Sequence, residues 1–421
     1  MDKIVLFGGH RLKGTVRIGG AKNAVLPIMA GALLADGEYA LDNIPMLRDV
    51  KTMSRLLQSI GAQVDLGDHA MKINTKDCAR YEAPYDLVKT MRASIYVLGP
   101  LLSRFGYAKV SLPGGCAWGP RPINLHIEGL KKLGAKVEIE KGYVIARGKR
   151  LTGGRIAFDK PSVGATGNLL MASVLAKGTT VIRNAAKEPE IASLARFLRK
   201  MGAQIQGEGT DRLEIEGVDS LRPVSETIIP DRIETGTFLV AGCITGGDVR
   251  LEDVHPEHVS AVTQKLRDSG ASVEEGDGWI RIRSDKTVIP VDASTAEYPG
   301  FPTDMQAQWM ALMSIAKGSS VVTDSIFEDR FTHVAELRRL GADITLEHNT
   351  AVIKGVSHLS GAPVMSTDLR ASASLILAGL VARGRTNVSR VYHIDRGYER
   401  IEEKLKALGA EIWREREELV T

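Results

Sequence analysis

The chain has 421 residues, more than one hydrophobic core usually serves, so two or more domains are expected. Apolar residues make up 43% of it and charged residues 25%, which is the balance of a soluble globular protein. The net charge is only +4, aromatic residues are 5%, and no basic run with interleaved aromatics occurs, which argues against a nucleic-acid-binding protein. No apolar run approaches the roughly 20 residues of a membrane span.

The three cysteines, Cys78, Cys116 and Cys243, are too widely spaced for a disulfide framework or a zinc site. Such usage is typical of a reducing compartment. The apolar run within residues 1–7 is too short for a signal peptide. We therefore expect a cytoplasmic protein without a metal centre.

A Leu-x-x-x-Gly-Ala pattern recurs six times, with a period of about 70 residues. Its glycines are at positions 61, 134, 202, 270, 341 and 409. Each copy is typical of the end of an amphipathic helix, a glycine that stops the helix, and a following strand. Six copies at near-constant spacing exclude a chance match.

A second kind of segment lies upstream in each repeat, apolar on nearly every side and rich in small residues. The six segments are residues 24–34, 93–102, 165–176, 235–244, 305–315 and 371–381. A helix without a polar face is buried. We predict units of a buried helix, a strand, an amphipathic helix and further strands, in two groups of three around interior helices.

Unusual polar residues precede or begin these buried helices. They are Lys22 and Asn23, Arg92, Ser162 to Gly164, Asp231 and Arg232, Asp304, and Asp368 with Arg370. Aspartates at helix starts have an ordinary explanation, because they cap helices. Cations are disfavoured there, so Lys22, Arg92 and Arg370 break a local rule. A surface position explains any one of them equally well, but three at equivalent positions favour an anion site.

Residues 112–121 form a predicted loop, because three glycines and two prolines cannot continue a helix or a central strand. It holds Cys116 five residues before Arg121, where a lowered thiol pKa is expected; the alternative is a surface turn. Arg121 and Arg396 add two more cations, which suits a ligand with phosphate and carboxylate groups. His126 is either a structural histidine or, from its place just after the loop, a ligand contact.

Several short motifs together resemble the UDP-N-acetylglucosamine 1-carboxyvinyltransferases of the enolpyruvyl transferase family. They are residues 19–24 (GGAKNA), 91–94 (MRAS), 113–116 (PGGC), 119–122 (GPRP), 230–236 (PDRIETG), 298–304 (YPGFPTD) and 368–371 (DLRA). The resemblance runs from end to end. It implies an α/β (α+β) fold, a two-domain inside-out α/β barrel of six βαβαββ repeats with three per domain. It also implies a discontinuous domain of residues 1–20 plus 230–421 and a domain of residues 21–229 that carries the cysteine loop.

The resemblance further implies a reaction. The enolpyruvyl group of phosphoenolpyruvate would move to the 3-hydroxyl of UDP-N-acetylglucosamine with release of phosphate, the first committed step of peptidoglycan synthesis. That step belongs to cell wall biogenesis and so to cell shape, cell cycle and cell division. The expected partners are these two small molecules, without a cofactor, a metal, nucleic acid or a membrane.

Roles carried over from the family are expectations for individual residues. Lys22, Arg121 and Arg396 resemble the phosphoenolpyruvate clamp, Cys116 the general acid for the methylene carbon, and Asp304 the base for the sugar hydroxyl. The catalytic set is thus Cys116, Asp304, Lys22 and Arg396. The substrate-binding set adds Asn23, Arg92, Arg121, His126, Ser162, Val163, Gly164, Ile326, Phe327, Arg330, Asp368 and Arg370. The epoxide fosfomycin is expected to alkylate Cys116.

Two alternatives to this function remain open. A 3-phosphoshikimate 1-carboxyvinyltransferase shares the fold, the donor and the repeat, but that family lacks the cysteine loop. A catalytically silent paralogue would use the same scaffold for binding or regulation. The intact set of Lys22, Cys116, Arg121, Asp304 and Arg396 argues against it.

Overall fold

The secondary structure was determined from a computed structural model that describes residues 2–112, 123–285 and 287–416. The strands are, in chain order, β1 (Asp2–Phe7), β2 (Lys13–Arg17), β3 (Glu38–Asp42), β4 (Gln63–Leu66), β5 (Ala70–Asn74), β6 (Glu82–Ala83), β7 (Tyr107–Ser111), β8 (Lys136–Glu140), β9 (Tyr143–Arg147), β10 (Arg155–Ala157), β11 (Thr179–Arg183), β12 (Gln204–Gln206), β13 (Arg212–Glu216), β14 (Ser225–Thr227), β15 (Asp248–Glu252), β16 (Ser272–Gly276), β17 (Trp279–Arg283), β18 (Ala293–Ser294), β19 (Ser319–Thr323), β20 (Asp343–Glu347), β21 (Thr350–Lys354), β22 (Pro363–Met365), β23 (Arg385–Ser389) and β24 (Glu411–Arg416).

Helices separate these strands in a regular alternation. The α-helices are α1 (Lys22–Gly31), α2 (Arg48–Ile60), α3 (Tyr85–Val88), α4 (Leu98–Phe105), α5 (Asn124–Lys132), α6 (Val163–Ser173), α7 (Pro189–Lys200), α8 (Arg232–Ile244), α9 (Ser260–Asp268), α10 (Gln306–Met313), α11 (His333–Arg339), α12 (Leu369–Gly379) and α13 (Ile401–Ala407). Short 3₁₀ helices cover Ala32–Leu34, Arg92–Val97, Pro256–Val259, Thr303–Met305 and Val391–Arg396. Within the described ranges, none of the helices has the length and apolarity that crossing a bilayer demands.

The described strands form six four-stranded sheets with one shared topology. In each sheet one edge strand is parallel to its neighbour, and the other two pairs are antiparallel. The strand orders are β14-β3-β5-β4, β6-β7-β9-β8, β10-β11-β13-β12, β2-β15-β17-β16, β18-β19-β21-β20 and β22-β23-β1-β24. The predicted α/β class with six βαβαββ repeats is therefore confirmed.

The chain divides into two compact units, each with its own hydrophobic core. The central unit is Gly20–Ile229, and the discontinuous unit joins Met1–Gly19 to Pro230–Thr421. The first three sheets in the order above belong to the central unit and the other three to the discontinuous unit.

The repeated glycine ends each amphipathic helix for a conformational reason. Gly61 follows α2 with φ 113°, in the left-handed region that only glycine enters easily, and its N–H donates to the carbonyls of Leu57 and Gln58. A Cβ at Gly61 would lie 2.7 Å from the carbonyl oxygen of Asp77. Positive φ values recur at glycines 134, 202, 270, 341 and 409.

The six small-residue segments are the buried helices α1, α4, α6, α8, α10 and α12. In α8 every residue from Ile233 to Ile244 is buried. The second segment differs from the predicted helix of residues 93–102, because its first part is the 3₁₀ helix Arg92–Val97. Pro100 explains this: a proline is tolerated in the first turn of an α-helix but clashes with the carbonyl of a preceding turn, so α4 begins at Leu98.

Candidate functional site

Asp304 is the centre of a charged cluster in the discontinuous unit. It lies in the 3₁₀ turn that precedes α10, at the start of a buried helix. Its Oδ1 is 2.7 Å from Nη2 of Arg330, and its Oδ2 is 2.8 Å from Nη2 of Arg370. Both guanidinium groups are buried, whereas the carboxylate is half-buried. Two of the predicted substrate-binding arginines therefore contact the predicted base directly.

The two arginines fix the ionisation state of Asp304. Burial alone would raise the pKa of this carboxyl, but the charges and hydrogen bonds of Arg370 and Arg330 hold it well below its usual range. The carboxylate is consequently ionised at neutral pH, and each of its oxygens already accepts a hydrogen bond.

Arg330 is also linked, through a threonine hydroxyl, to the fully buried carboxylate of Asp324. Nη1 of Arg330 donates to the Thr303 hydroxyl at 2.9 Å, and that hydroxyl donates to Oδ2 of Asp324 at 2.7 Å. Oδ1 of Asp324 accepts the backbone N–H groups of Ile326 and Phe327, each at 3.0 Å. One carboxylate thus orients both Arg330 and the loop that carries the predicted pocket residues Ile326 and Phe327.

Arg370 is held by a hydrogen-bonded chain of neutral groups. Its Nη1 donates to the phenol oxygen of Tyr398 at 3.3 Å, and Nε2 of Gln308 donates to the same oxygen at 3.2 Å. With two bonds accepted, the phenol donates to the Thr237 hydroxyl at 2.8 Å. Burial raises the pKa of Tyr398, although Arg370 opposes the shift, so the phenol keeps the proton that this chain requires.

Asp368 and Arg396 lie in the same unit as Asp304. Oδ1 of Asp368 accepts the backbone N–H groups of Arg370 and Ala371 at 2.7 and 3.2 Å, so Asp368 caps α12. Helix capping, the ordinary reason for an aspartate at a helix start, therefore explains why an aspartate occupies position 368. Arg396 ends the 3₁₀ helix Val391–Arg396 and is half-buried.

Lys22 begins α1 in the central unit, with Asn23 as the second residue of that helix. Nζ of Lys22 is 3.4 Å from Oδ2 of Asp49, and the two side chains are only 13% and 5% exposed. Because the Lys22 side chain is buried, its ammonium group is held near Asp49, whereas the side chain of an exposed lysine would move freely. Arg92 begins the 3₁₀ helix before α4 and is half-buried.

The start of α6 lies against His126. Ser162 caps this helix, its hydroxyl accepting the backbone N–H of Ala165 at 3.3 Å. A Cβ on Gly164 would lie 3.4 Å from Nε2 of His126, so the ring lies directly against the first turn of α6. Gly164 and His126 are thus neighbours, and Ser162 and Val163 directly precede Gly164 in the chain.

Two histidines are held neutral by burial. Burial and the nearby charge of Arg92 lower the pKa of His126 to about 4, and burial and Arg330 lower the pKa of His333 to about 3. An unfolded histidine binds its proton near pH 6.5. Between about pH 6.5 and the lowered pKa values of the two histidines, the unfolded chain binds more protons than the folded chain. The contribution of these histidines to the free energy of unfolding is therefore fully present above pH 6.5 and decreases as the pH is lowered.

We therefore expect the ring signals of His126 and His333 to stay those of neutral imidazole from pH 7.5 to 5. Ring ¹³C and ¹⁵N shifts, assigned with His126→Gln and His333→Gln, measure this directly. The midpoint of thermal unfolding should fall over the same range. A titration midpoint near pH 6.5 for either ring contradicts the prediction.

Two of the predicted residues, Cys116 and Arg121, lie outside the described residues, as does most of the predicted loop 112–121. Among the residues that are described, no group of three or more His, Cys, Asp or Glu side chains is arranged to hold a metal ion.

Sequence reasoning did not select the residues that contact and support the site residues. They are Asp49, Thr237, Gln308, Asp324, Tyr398 and Asn168, whose Nδ2 is 3.0 Å from Nδ1 of His126. Asn168 and Gln308 carry a detectable signal, since each is an amide inside a mostly apolar helical segment. Asp49, Asp324 and Tyr398 lie in segments of ordinary composition, and only the tertiary contacts show their roles.

Comparison with known proteins places the chain among enolpyruvyl transferases. The family model described as EPSP synthase (3-phosphoshikimate 1-carboxyvinyltransferase) matches residues 6–405. A UDP-N-acetylglucosamine 1-carboxyvinyltransferase from Thermodesulfovibrio yellowstonii is 57% identical over 415 residues, 98% of this chain and 100% of the relative. A protein of the same name from Myxococcus xanthus is 56% identical over 419 residues, 99% of this chain and 100% of the relative. The chain belongs to the UDP-N-acetylglucosamine 1-carboxyvinyltransferase family.

Solved structures agree with this family. The enolpyruvyl transferase NikO from Streptomyces tendae is 26% identical with a TM-score of 0.88, over 98% of each chain. EPSP synthase from Acinetobacter baumannii is 20% identical with a TM-score of 0.76, over 99% of this chain and 100% of that one, which shows the shared fold. The predicted inside-out α/β barrel is confirmed, and as a family member the chain is an enolpyruvyl (carboxyvinyl) transferase.

Proposed function

We propose that the chain transfers the enolpyruvyl group of phosphoenolpyruvate to the 3-hydroxyl of UDP-N-acetylglucosamine and releases phosphate. The observation that carries this proposal is the 54–57% identity, along nearly the whole chain, to relatives that bear that name. The reaction would be the first committed step of peptidoglycan synthesis, and through it would serve cell wall biogenesis, cell shape and cell division.

The donor is an anion whose phosphate and carboxylate need cationic partners. In the central unit we assign Lys22 and Arg92 to this task, and in the discontinuous unit Arg370 and Arg396. Fixed cations in a partly buried site stabilise developing negative charge without the reorganisation that water would need. Arg121 is assigned the same role on its sequence motif alone.

Asp304 is assigned as the base for the sugar hydroxyl. Its resting pairs with Arg330 and Arg370 keep it ionised but occupied. An anionic substrate that attracts either guanidinium would free one carboxylate oxygen and raise its basicity, so proton abstraction would be coupled to substrate binding. This coupling prevents the base from acting before an anionic substrate is present.

The proton and bond changes then balance. The sugar hydroxyl loses its proton to Asp304 and attacks C2 of the donor, while Cys116, assigned from the motif, protonates the methylene carbon. The C2–O bond to phosphate then breaks, and one methyl proton passes to the Cys116 thiolate, which restores both the vinyl group and the thiol. The proton held by Asp304 leaves with the phosphate. We propose that eight further residues bind the nucleotide sugar or shape its site: Asn23, His126, Ser162, Val163, Gly164, Ile326, Phe327 and Asp368.

The acceptor distinguishes this proposal from its alternatives. We expect phosphate release from phosphoenolpyruvate with UDP-N-acetylglucosamine and none with shikimate 3-phosphate, measured by a coupled phosphate assay on the full chain. Release with shikimate 3-phosphate alone would identify the other carboxyvinyltransferase. The absence of release with either acceptor would favour a silent paralogue.

A further inference from the structure

The orientation of one buried amide is fixed by its backbone partners. Asn168 is fully buried in the middle of α6. Its Oδ1 is 2.7 Å from the backbone nitrogen of Gly99, and its Nδ2 is 2.9 Å from the carbonyl oxygen of Ile95. Because a backbone N–H can only donate and a carbonyl can only accept, the amide oxygen must face Gly99 and the amide nitrogen must face Ile95.

That orientation determines the tautomer of His126. Nδ2 of Asn168 is also 3.0 Å from Nδ1 of His126, and a side-chain amide nitrogen only donates. Nδ1 therefore accepts this bond and carries no proton, so the proton of the neutral ring is on Nε2. Among the described residues, Nε2 has no hydrogen-bond partner, and it faces Gly164 at the start of α6.

The surroundings of Nε2 favour an oxygen acceptor from a ligand. The start of α6 presents backbone N–H groups, and Arg92 is the charged residue that affects the pKa of His126. Each of these groups donates or is positive. The N–H group of a neutral His126 ring would be a further donor beside them. It would not place a second positive charge next to Arg92, and the ring would not have to take up a proton first.

We propose that Asn168 is a positioning residue: it holds His126 as the Nε2–H tautomer, so that the ring donates a hydrogen bond to an acceptor oxygen of the nucleotide sugar. This inference rests on the proposed function for the identity of the ligand, but the tautomer itself does not depend on it. Gly99 in α4 and Ile95 in the preceding 3₁₀ helix fix the orientation of the Asn168 amide, and the amide in turn fixes Nε2 as the donor nitrogen of His126.

The first test is the tautomer of the unmodified protein. Long-range ¹H–¹⁵N correlation at pH 7, with the His126 signals identified by their loss in His126→Gln, should show a protonated Nε2 and an unprotonated Nδ1. The opposite pattern would overturn the proposal. This measurement needs no catalysis, so it stands even if the proposed transferase reaction is not observed.

The second test exchanges the donor at position 168 for an acceptor. Asn168→Asp keeps the shape but cannot donate to Nδ1 as a carboxylate, so the ring proton should move to Nδ1. We expect the KM for UDP-N-acetylglucosamine to rise about 10-fold, the value of one hydrogen bond, with kcat changed far less. Ser173→Ala, which removes a hydroxyl bonded within the same helix at 2.7 Å, should leave the KM unchanged.

A double variant separates positioning from a merely structural effect. A glutamine at position 126 supplies an N–H whatever residue 168 presents, so in the His126→Gln background Asn168→Asp should no longer raise the KM. If Asn168→Asp raised the KM equally in the parent and in His126→Gln, the proposal would be overturned. It would also be overturned if Asn168→Asp moved the ring proton to Nδ1 but left the KM unchanged. If Asn168→Asp fails to fold, the correlation measurement on the unmodified protein still decides the tautomer.

Discussion

Asp304→Asn is expected to lower kcat by about 10²–10⁴-fold, the range that a general base contributes. The amide keeps the size of the carboxylate but cannot take the proton of the sugar hydroxyl. It also leaves Arg330 and Arg370 without their shared counter-charge, so the midpoint of thermal unfolding should fall as well. Steady-state phosphate release with both substrates measures the first effect, and circular dichroism on heating measures the second.

Asp277→Asn is the matched control, because Asp277 is exposed in the same unit, between β16 and β17. It should leave kcat and the unfolding midpoint unchanged. If Asp304→Asn retained more than about a tenth of the parental kcat, the smallest effect expected of a general base would be missing. The role of Asp304 would then reduce to holding its two arginines.

Lys22→Gln is expected to lower kcat/KM for phosphoenolpyruvate by at least about 10²-fold, as loss of one preorganised charge-stabilising group typically does. The side chain keeps most of its length but loses the charge that we assign to the donor anion. Its partner Asp49, 5% exposed, is then left with a weaker neighbour, so a modest loss of stability should accompany the kinetic effect. Initial rates at varied phosphoenolpyruvate and saturating UDP-sugar measure the ratio.

Lys51→Gln tests whether any lysine of this region has the same effect, because Lys51 is exposed on α2 of the central unit. Its kinetics should match those of the parent. Lys22→Arg should recover part of the lost rate, since it restores the charge but not the compact ammonium. A Lys22→Gln enzyme with parental kcat/KM would exclude Lys22 from donor binding.

The repeat made most of the fold predictable from local rules. A glycine at a helix end needs a positive φ, and a helix without a polar face needs burial, so six copies of each indicate six repeats. The exception, the 3₁₀ start before α4, also has a local cause in Pro100. These features depend on neighbours in sequence, which is why the sequence reveals them.

The site was predictable only in part, because its contacts join distant residues. Asp304, Arg330 and Arg370 come from separate segments, and nothing in their local composition shows that the arginines occupy the carboxylate. The resemblance suggested a carboxylate base at position 304, and the structure adds that both oxygens of this carboxylate are paired with arginines. Asn168 could have been noticed as an amide inside a mostly apolar helix, but its effect on His126 follows only from its three hydrogen bonds to Gly99, Ile95 and His126.

The discontinuous unit has a consequence for how the protein is made. Strand β1 lies between β23 and β24, with Leu6 opposite Thr386 and Ile412, so β1 pairs with two strands that are synthesised only after residue 384. At about 5–20 residues per second, the nascent chain carries that strand unpaired for about 20–80 s. The central unit, Gly20–Ile229, is complete well before then. Synthesis therefore passes through a stage in which the central unit is complete while β1 still has unpaired backbone N–H and C=O groups, which can pair with the strands of another chain.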